Sequence, residues 1–517
     1  MSKPNQSVAP ASFIAHPEEL PPVPIHPGPD GPPPEPDAIC AMDASELSAA
    51  IHGKKVSCVE VMTAYLARIR QLNGDYNALV ALADEAPSLA QAKTCDEQLA
   101  AGQSCGWMHG FPQAPKDLSQ AKGFPFTSGS PVFANLMPEV DAEIVSRARA
   151  DGAIIIGKSN TPEFGLGSHT FNEVYGTTRN ALNPALTAGG SSGGAAVALA
   201  LNMLPVADGS DMMGSLRNPA AFNGIYGHRP SFGRVPQVPV ADVFVQQLGV
   251  AGPMGRTPQD CARLLATQAG QHPASPLTLP GDGSEFHAIA KITAATLDSK
   301  PLAGLTFGWL GDLNGHLAIE PGLIDIIEKG LTHLEGLGAT VTPLPLGIDP
   351  TLLWHSWITL RQGLNGGRLA TLLEDPHKAA QIKPEARWEA EHGALASAAD
   401  FCEASANRST WYQAALRLFE KADFLVLPTA QVFPFDISER WPREIAGRQM
   451  DTYHRWMEVT IPASLAGLPA VSIPIVPDAS DAASMPHQMT GYQVIGRPQD
   501  DYGVLEIAAK IHESGQY

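Results

Sequence analysis

The chain has 517 residues, 44% hydrophobic and 17% charged, with a formal net charge of −19. That balance excludes a mainly disordered or fibrous chain. So large a negative charge repels nucleic-acid phosphates and offers no basic face to an anionic membrane, so neither partner is expected. Six cysteines, at 40, 58, 95, 105, 261 and 402, form no C-x-x-C pair and no zinc or disulfide spacing, so reduced thiols are expected. The N-terminus lacks a basic segment followed by an apolar run, and the longest strictly apolar run, 195–201, is far too short to span a bilayer. These features predict a soluble, cytoplasmic protein. Length alone suggests about three domains of ~150 residues.

Residues 1–40 hold 12 of the 46 prolines. Such a segment favours extended conformations and cannot bury a core, so it reads as an N-terminal arm on the surface. Globular structure is expected from 41 onward. Asp43 with Glu46 fits a capping box, and Gly53 can close that helix. Ser57 with Glu60 opens a second helix, which Asn73-Gly74 is expected to end. A helical stretch before Gly152 leads to a short buried strand over 153–156. After the Gly/Ser loop at 189–194, residues 195–201 read as an Ala-rich helix, apolar all round and therefore buried. Further strands are predicted at 305–310, 424–427 and 470–476. The mixture of strands and helices continues to the end without a repeat or an internal linker.

Three segments carry candidate chemistry. Gly110-Phe111-Pro112-Gln113-Ala114-Pro115-Lys116-Asp117 sets a lysine among prolines and apolar residues, where burial disfavours the ammonium and can make Lys116 a base. Gly189-Gly190-Ser191-Ser192-Gly193-Gly194 lacks the Gly-Lys-Ser/Thr of a phosphate loop but satisfies G-x-S-x-G, so an α/β-hydrolase-type esterase with Ser191 as nucleophile is one reading. In Asp208-Gly209-Ser210-Asp211-Met212-Met213-Gly214-Ser215-Leu216-Arg217-Asn218-Pro219-Ala220 a serine, Ser215, follows a tight turn whose backbone N–H groups can converge on an oxyanion. Ser119 to Lys122 matches S-x-x-K without the companion motifs of a β-lactamase. The 16 histidines contain no H-E-x-x-H or H-x-x-x-H pair, so no metal site is expected.

Together these segments resemble the amidase signature family. The likeness continues through Gly157-Lys158-Ser159-Asn160, Gly176-Thr177-Thr178-Arg179-Asn180, Gly252-Pro253-Met254, Leu427-Pro428-Thr429, 462–470 and 491–497. It covers about 43–515 and is weakest over about 270–420, where family members shape the substrate pocket. The resemblance implies an α/β fold with a large mixed central sheet covered by helices on both faces, in one catalytic domain. It implies a Ser–cis-Ser–Lys triad: Ser215 as nucleophile, Ser191 as the cis serine and Lys116 as base. The oxyanion donors would be the backbone N–H groups of Met212, Met213, Gly214 and Ser215, with Asp117, Asp211 and Arg217 as supports. The family usually has glycine where this chain has Met213, which is expected to reshape the acyl side of the pocket. Gly165 and Gly167 would line that pocket, and Trp354, His355 and Trp357 in the variable region are further candidates. The implied activity is hydrolysis of the C–N bond of a small-molecule amide, with anilides, carbamates and esters as related substrates, in a monomer or homodimer. The relay needs no cofactor. Within the family the rival is the glutaminase component of a tRNA-dependent amidotransferase; its tyrosine-rich segment is missing here, where Trp411-Tyr412-Gln413-Ala414-Ala415-Leu416-Arg417 stands.

Overall fold

The computed structural model describes residues 20–29, 31–475 and 488–515. Asp43 caps the helix Ala44–His52 by accepting the Glu46 N–H at 2.7 Å, while the Glu46 carboxylate accepts the Asp43 N–H, and Gly53 follows the last turn. Ser57 and Glu60 close the same reciprocal box on Cys58–Tyr76. That helix does not stop at Asn73-Gly74. It continues to Tyr76, and Asn77 takes the left-handed capping position at φ 51°. The Asn73 side chain meanwhile accepts the N–H groups of Ala78 and Leu79 at 3.0 and 2.8 Å, so it steers the chain leaving the helix and does not break it.

Residues 1–19 and 30 of the Pro-rich segment lie outside the described residues. Its remainder up to Glu35 forms no helix or strand. The body grips its carbonyls: Arg440 donates to Pro21 at 2.9 Å, Thr177 to Pro24 at 2.8 Å and Arg68 to Pro34 at 2.6 Å.

Eight strands form the main sheet: β1 Ala207–Asp211, β2 Tyr226–Arg229, β3 Val250–Gly255, β4 Thr306–Trp309, β5 Thr340–Pro343, β6 Phe424–Pro428, β7 Ala470–Ile475 and β8 Thr490–Ile495. Their order is β5-β4-β6-β8-β7-β2-β3-β1. Only β4 pairs parallel, with β5 and β6; every other pairing is antiparallel, so the sheet is mixed. The alternation of β6 shows why both faces must be covered. Leu425 and Leu427 enter one apolar core and Phe424 and Val426 another. The first core holds the helices Pro350–Leu373 and Ala398–Phe419, which lie in the variable stretch. A third core surrounds the helix Gly193–Ala200, whose Ala195 to Leu199 are each fully buried, as an all-apolar helix requires. The chain is one domain, not three.

The strand predicted over 153–156 is the pair Ile154–Ile155, parallel to Pro112–Gln113. Lys116 bridges Ser159 just beyond, and Lys158–Ser159 pairs with Leu79–Val80. This small ladder carries Lys116 toward the end of β1. Among the described residues no helix is long and apolar enough to cross a membrane, and no group of His, Cys, Asp and Glu is arranged to hold a metal ion.

Candidate active site

Lys116 is buried, with its Nζ 2.8 Å from Ser191 Oγ, 2.8 Å from Ser192 Oγ and 3.1 Å from Ser210 Oγ. Burial pushes its ammonium down to about 7, against the opposing charges of Asp208 and Asp211. A neutral amine has two N–H donors and one lone pair, which matches three hydroxyl partners. Ser191 stands in the loop before the helix Gly193–Ala200, and the Gly190–Ser191 peptide is cis. The Ser192 N–H donates to the Ser215 carbonyl at 3.2 Å and ties this loop to the Ser215 turn. Lys116 and Ser191, far apart in sequence, are thus in contact, and the turn of Ser215, which keeps 7% exposure, is joined to their loop.

The turn holding Ser215 is set by Asp211 at the end of β1. Its carboxylate accepts the N–H groups of Gly214 at 3.0 Å and Leu216 at 3.2 Å. It also accepts Arg217 Nε at 3.0 Å, Arg217 Nη2 at 2.9 Å and Arg229 Nη1 at 3.2 Å. Burial alone would raise the Asp211 carboxyl, but Arg217 and Arg229 hold it well below the usual carboxylate range. Arg217 in turn donates to the Thr460 carbonyl at 3.2 Å, to Ser464 Oγ at 2.9 Å and to Gln493 Oε1.

Gly214 takes φ +82°, and a Cβ there would lie 2.7 Å from Thr460 Cγ2, so only glycine fits. Its N–H is held by Asp211, which removes it from the expected set of four oxyanion donors. Among the described residues the N–H groups of Met212, Met213 and Ser215 have no protein acceptor. Met213 is buried in an apolar cluster with Phe164 and Leu166. It is Met212, partly exposed, that borders a polar group, with its Sδ 3.4 Å from Arg361 Nη1.

The remaining expected residues fall in different places. Asp117 does not reach Lys116 Nζ; it pairs with buried Lys158 at 3.6 Å and accepts from Thr127, and burial raises the carboxyl and lowers the lysine. Gly165 lies close to Ser191: at φ +70°, a Cβ on it would stand 3.5 Å from Ser191 Oγ. Gly167 faces Tyr453. Trp354 and Trp357 are buried and stack at 5.7 Å, whereas His355 is exposed and takes no part. No histidine hydrogen-bonds Ser191 among the described residues. His169, near it in sequence, is held by Thr187 and the Ile437 carbonyl, so among the described residues an α/β-hydrolase triad on Ser191 finds no histidine base.

Three residues near Lys116 lie inside the sequence motifs but are assigned no role there. Ser192 and Ser210 share its Nζ, and Asp208 accepts the Lys116 N–H at 3.3 Å, its carboxyl pushed up to about 6 by burial. The alternation of β1 is the available signal, since it puts residues 208 and 210 on one face.

A family model described as Amidase matches residues 60–505. A glutamyl-tRNA(Gln) amidotransferase subunit from Ralstonia nicotianae is 32% identical over 502 residues, covering 90% of this chain and 96% of that protein. The protein of the same name from Burkholderia pseudomallei is 32% identical over 498 residues, with the same coverage. The fold superposes on a bacterial aryl acylamidase of the amidase signature enzymes with a TM-score of 0.82 at 24% identity, covering 92% of this chain and 96% of that one. It also superposes on the peptide amidase of Stenotrophomonas maltophilia with a TM-score of 0.75 at 25% identity, covering 92% and 98%. With the family match running over most of its length, the chain belongs to the amidase signature family.

Proposed function

We propose that this protein hydrolyses the C–N bond of a small-molecule amide through an acyl-enzyme on Ser215. The observation that carries the reading is the 2.8 Å contact of buried Lys116 Nζ with Ser191 Oγ, at a lysine whose ammonium is pushed down to about 7 by burial. A hydroxyl is a weak nucleophile until a base takes its proton. Neutral Lys116 accepts the Ser191 proton while Ser191 accepts that of Ser215. The Ser215 oxygen then forms the C–O bond, and the carbonyl electrons move onto an oxyanion facing the free N–H groups of Met212, Met213 and Ser215. One such donor is worth roughly 3 kcal/mol. As the C–N bond breaks, the relay returns the proton to the leaving nitrogen. Water activated by the same relay releases the acid. Aryl and alkyl amides are the substrate class, with anilides, carbamates and esters sharing the carbonyl chemistry.

A second reading has its own support: curated relatives at 32% identity are named as part of a glutamyl-tRNA(Gln) amidotransferase. Against it stands the segment around 411–417, a helix face with Trp411 buried and donating to the Pro462 carbonyl at 2.9 Å, without the tyrosine-rich pattern of the glutaminase component. Measured glutaminase activity separates the two.

The test of the main reading is trapping with a fluorophosphonate and peptide mapping. The adduct is expected on Ser215; an adduct on Ser191, or undiminished amide turnover by Ser215→Ala, overturns it.

A further inference from the structure

Arg361, in the middle of the helix Pro350–Leu373, is 4% exposed. Its Nε donates to Glu389 Oε1 at 2.7 Å and its Nη2 to the Tyr453 hydroxyl at 2.8 Å, while that hydroxyl donates to Glu389 Oε1 at 2.6 Å. The face of Trp357 lies 5.0 Å from the guanidinium carbon. Two sides of the fork are thus fixed. The third, Nη1, meets among the described residues only Met212 Sδ at 3.4 Å, and a thioether is a weak acceptor. Met212 opens the turn that ends in Ser215, and its own N–H is free. A buried guanidinium therefore directs an under-used donor edge at the nucleophile loop.

The surroundings repeat the pattern. His454 stacks on Tyr453 at 4.3 Å, its Nε2 lies 3.8 Å from Glu389 Oε1, and among the described residues neither ring nitrogen has a hydrogen-bond partner. The indole N–H groups of Trp354 and Trp357 and Glu389 Oε2 are also buried without one. Buried polar atoms without partners are uncommon in folded proteins. Several around one arginine mark a place where polar groups of a bound molecule are accommodated.

We propose that Arg361 is a specificity-determining residue: its Nη1 donates to a neutral hydrogen-bond acceptor, such as a second carbonyl oxygen, on the acyl part of the substrate, displacing Met212. The acceptor is neutral because Glu389 already balances the guanidinium charge, and a carboxylate bound there would face the unpartnered Glu389 oxygen. The proposal rests on Ser215 as the nucleophile, since the acyl part is defined by it.

The experiment compares kcat/KM for three p-nitroanilides sharing one leaving group: levulinoyl, with a ketone, isocaproyl, its apolar counterpart, and succinyl, with a carboxylate. The parent enzyme is expected to prefer levulinoyl over isocaproyl by about ten- to a hundredfold, the range for a hydrogen bond to a charged donor. In Arg361→Met/Glu389→Gln, which removes both charges together, the ratio falls to within about twofold of unity. If that variant does not fold, Arg361→Lys carries the test, because an ammonium lacks the planar fork that reaches three partners; there the ratio drops at least about fivefold. A ratio unchanged in the folded variant, or a parent that prefers succinyl, overturns the proposal. Mass spectrometry of the quenched reactions distinguishes the two levels. Acyl-Ser215 with an unchanged ratio sinks the Arg361 assignment alone; absence of acyl-Ser215 from the parent with all three substrates sinks the nucleophile and this proposal together.

Discussion

The Asp211 turn and the Arg361 box are both buried and both built on arginine and carboxylate, and they meet where Met212 follows Asp211. They differ in how fully they are wired. Asp211 accepts donors from Gly214, Leu216, Arg217 and Arg229, and Arg217 reaches three further acceptors. The box leaves the Trp354 and Trp357 indoles, the His454 ring and one Glu389 oxygen without partners. Of the side chains joined around Asp211, only Arg229 Nε lacks a hydrogen-bond partner among the described residues, and so densely paired a network holds one geometry because most movements leave a buried group unpaired. A sparsely paired one keeps hydrogen-bonding capacity in reserve. The side proposed to hold the reacting atoms is the more fully paired, and the side facing the variable helices the less.

Substitutions can break that contrast. Asp211→Asn leaves Arg217 and Arg229 buried without their counter-charge, and a loss of about 3–5 kcal/mol in unfolding free energy is expected by denaturant titration. The sign with pH follows from the depressed carboxyl. Its contribution is present above the ordinary value of 3.8 and is lost only as pH falls further, so parent and variant should converge in acid, not near neutrality. A smaller effect is expected for Gly165→Ala. Its φ of +70° strains any side chain and a Cβ would clash with Leu118 at 2.7 Å, so the segment must shift beside Ser191 Oγ, and kcat should fall roughly a hundredfold with KM little changed. Unchanged kcat would mean that Gly165 does not shape the relay.

Asp208→Asn tests the charge balance around Lys116. In the proposed relay the base works as the neutral amine, so the rate should rise with pH through about 7. Asp208 favours the ammonium, as Asp211 does, and lies near Lys158 as well. Removing its charge moves the acidic limb of the profile to lower pH, by about one unit; a limb that stays in place puts Asp208 outside the relay. The smallest effect belongs to the less fully paired side. His454 is held neutral by burial and makes no hydrogen bond, so His454→Phe should stay within about 1 kcal/mol of the parent in unfolding experiments. A loss like that of Asp211→Asn would erase the distinction between the two regions.

Much of this is legible in sequence where local rules decide. The capping boxes at Asp43 and Ser57 and the all-apolar helix 195–201 form as their residues dictate. So do the strands around 306–309, 424–428 and 470–475, while the helix from Ser57 outruns its apparent stop because the Asn73 side chain finds partners beyond it. The meeting of Lys116 with Ser191, and of their loop with the Ser215 turn, is readable only through motif resemblance, since no local pattern reports a long-range approach. Asp208, Ser192 and Ser210 stand in the motif segments, but their contacts with Lys116 escape sequence reading for the same reason. The loss of Gly214 as an oxyanion donor depends on where the Asp211 carboxylate points, and no spacing rule encodes that. The Arg361 box draws on Glu389 and Tyr453, whose separation from it in sequence follows no motif at all.

The reach of Arg217 to Thr460, Ser464 and Gln493 bears on how the enzyme is born. Synthesis runs from the N-terminus, so Lys116, Ser191 and Ser215 leave the ribosome long before the residues that anchor their turn. An interrupted chain ending near residue 455 would carry Lys116, Ser191 and Ser215 and lack the partners, 243 to 276 positions away, that hold Arg217 in place. On the proposed assignment, activity therefore depends on the segment beyond 455, and a truncated product is expected to be inactive.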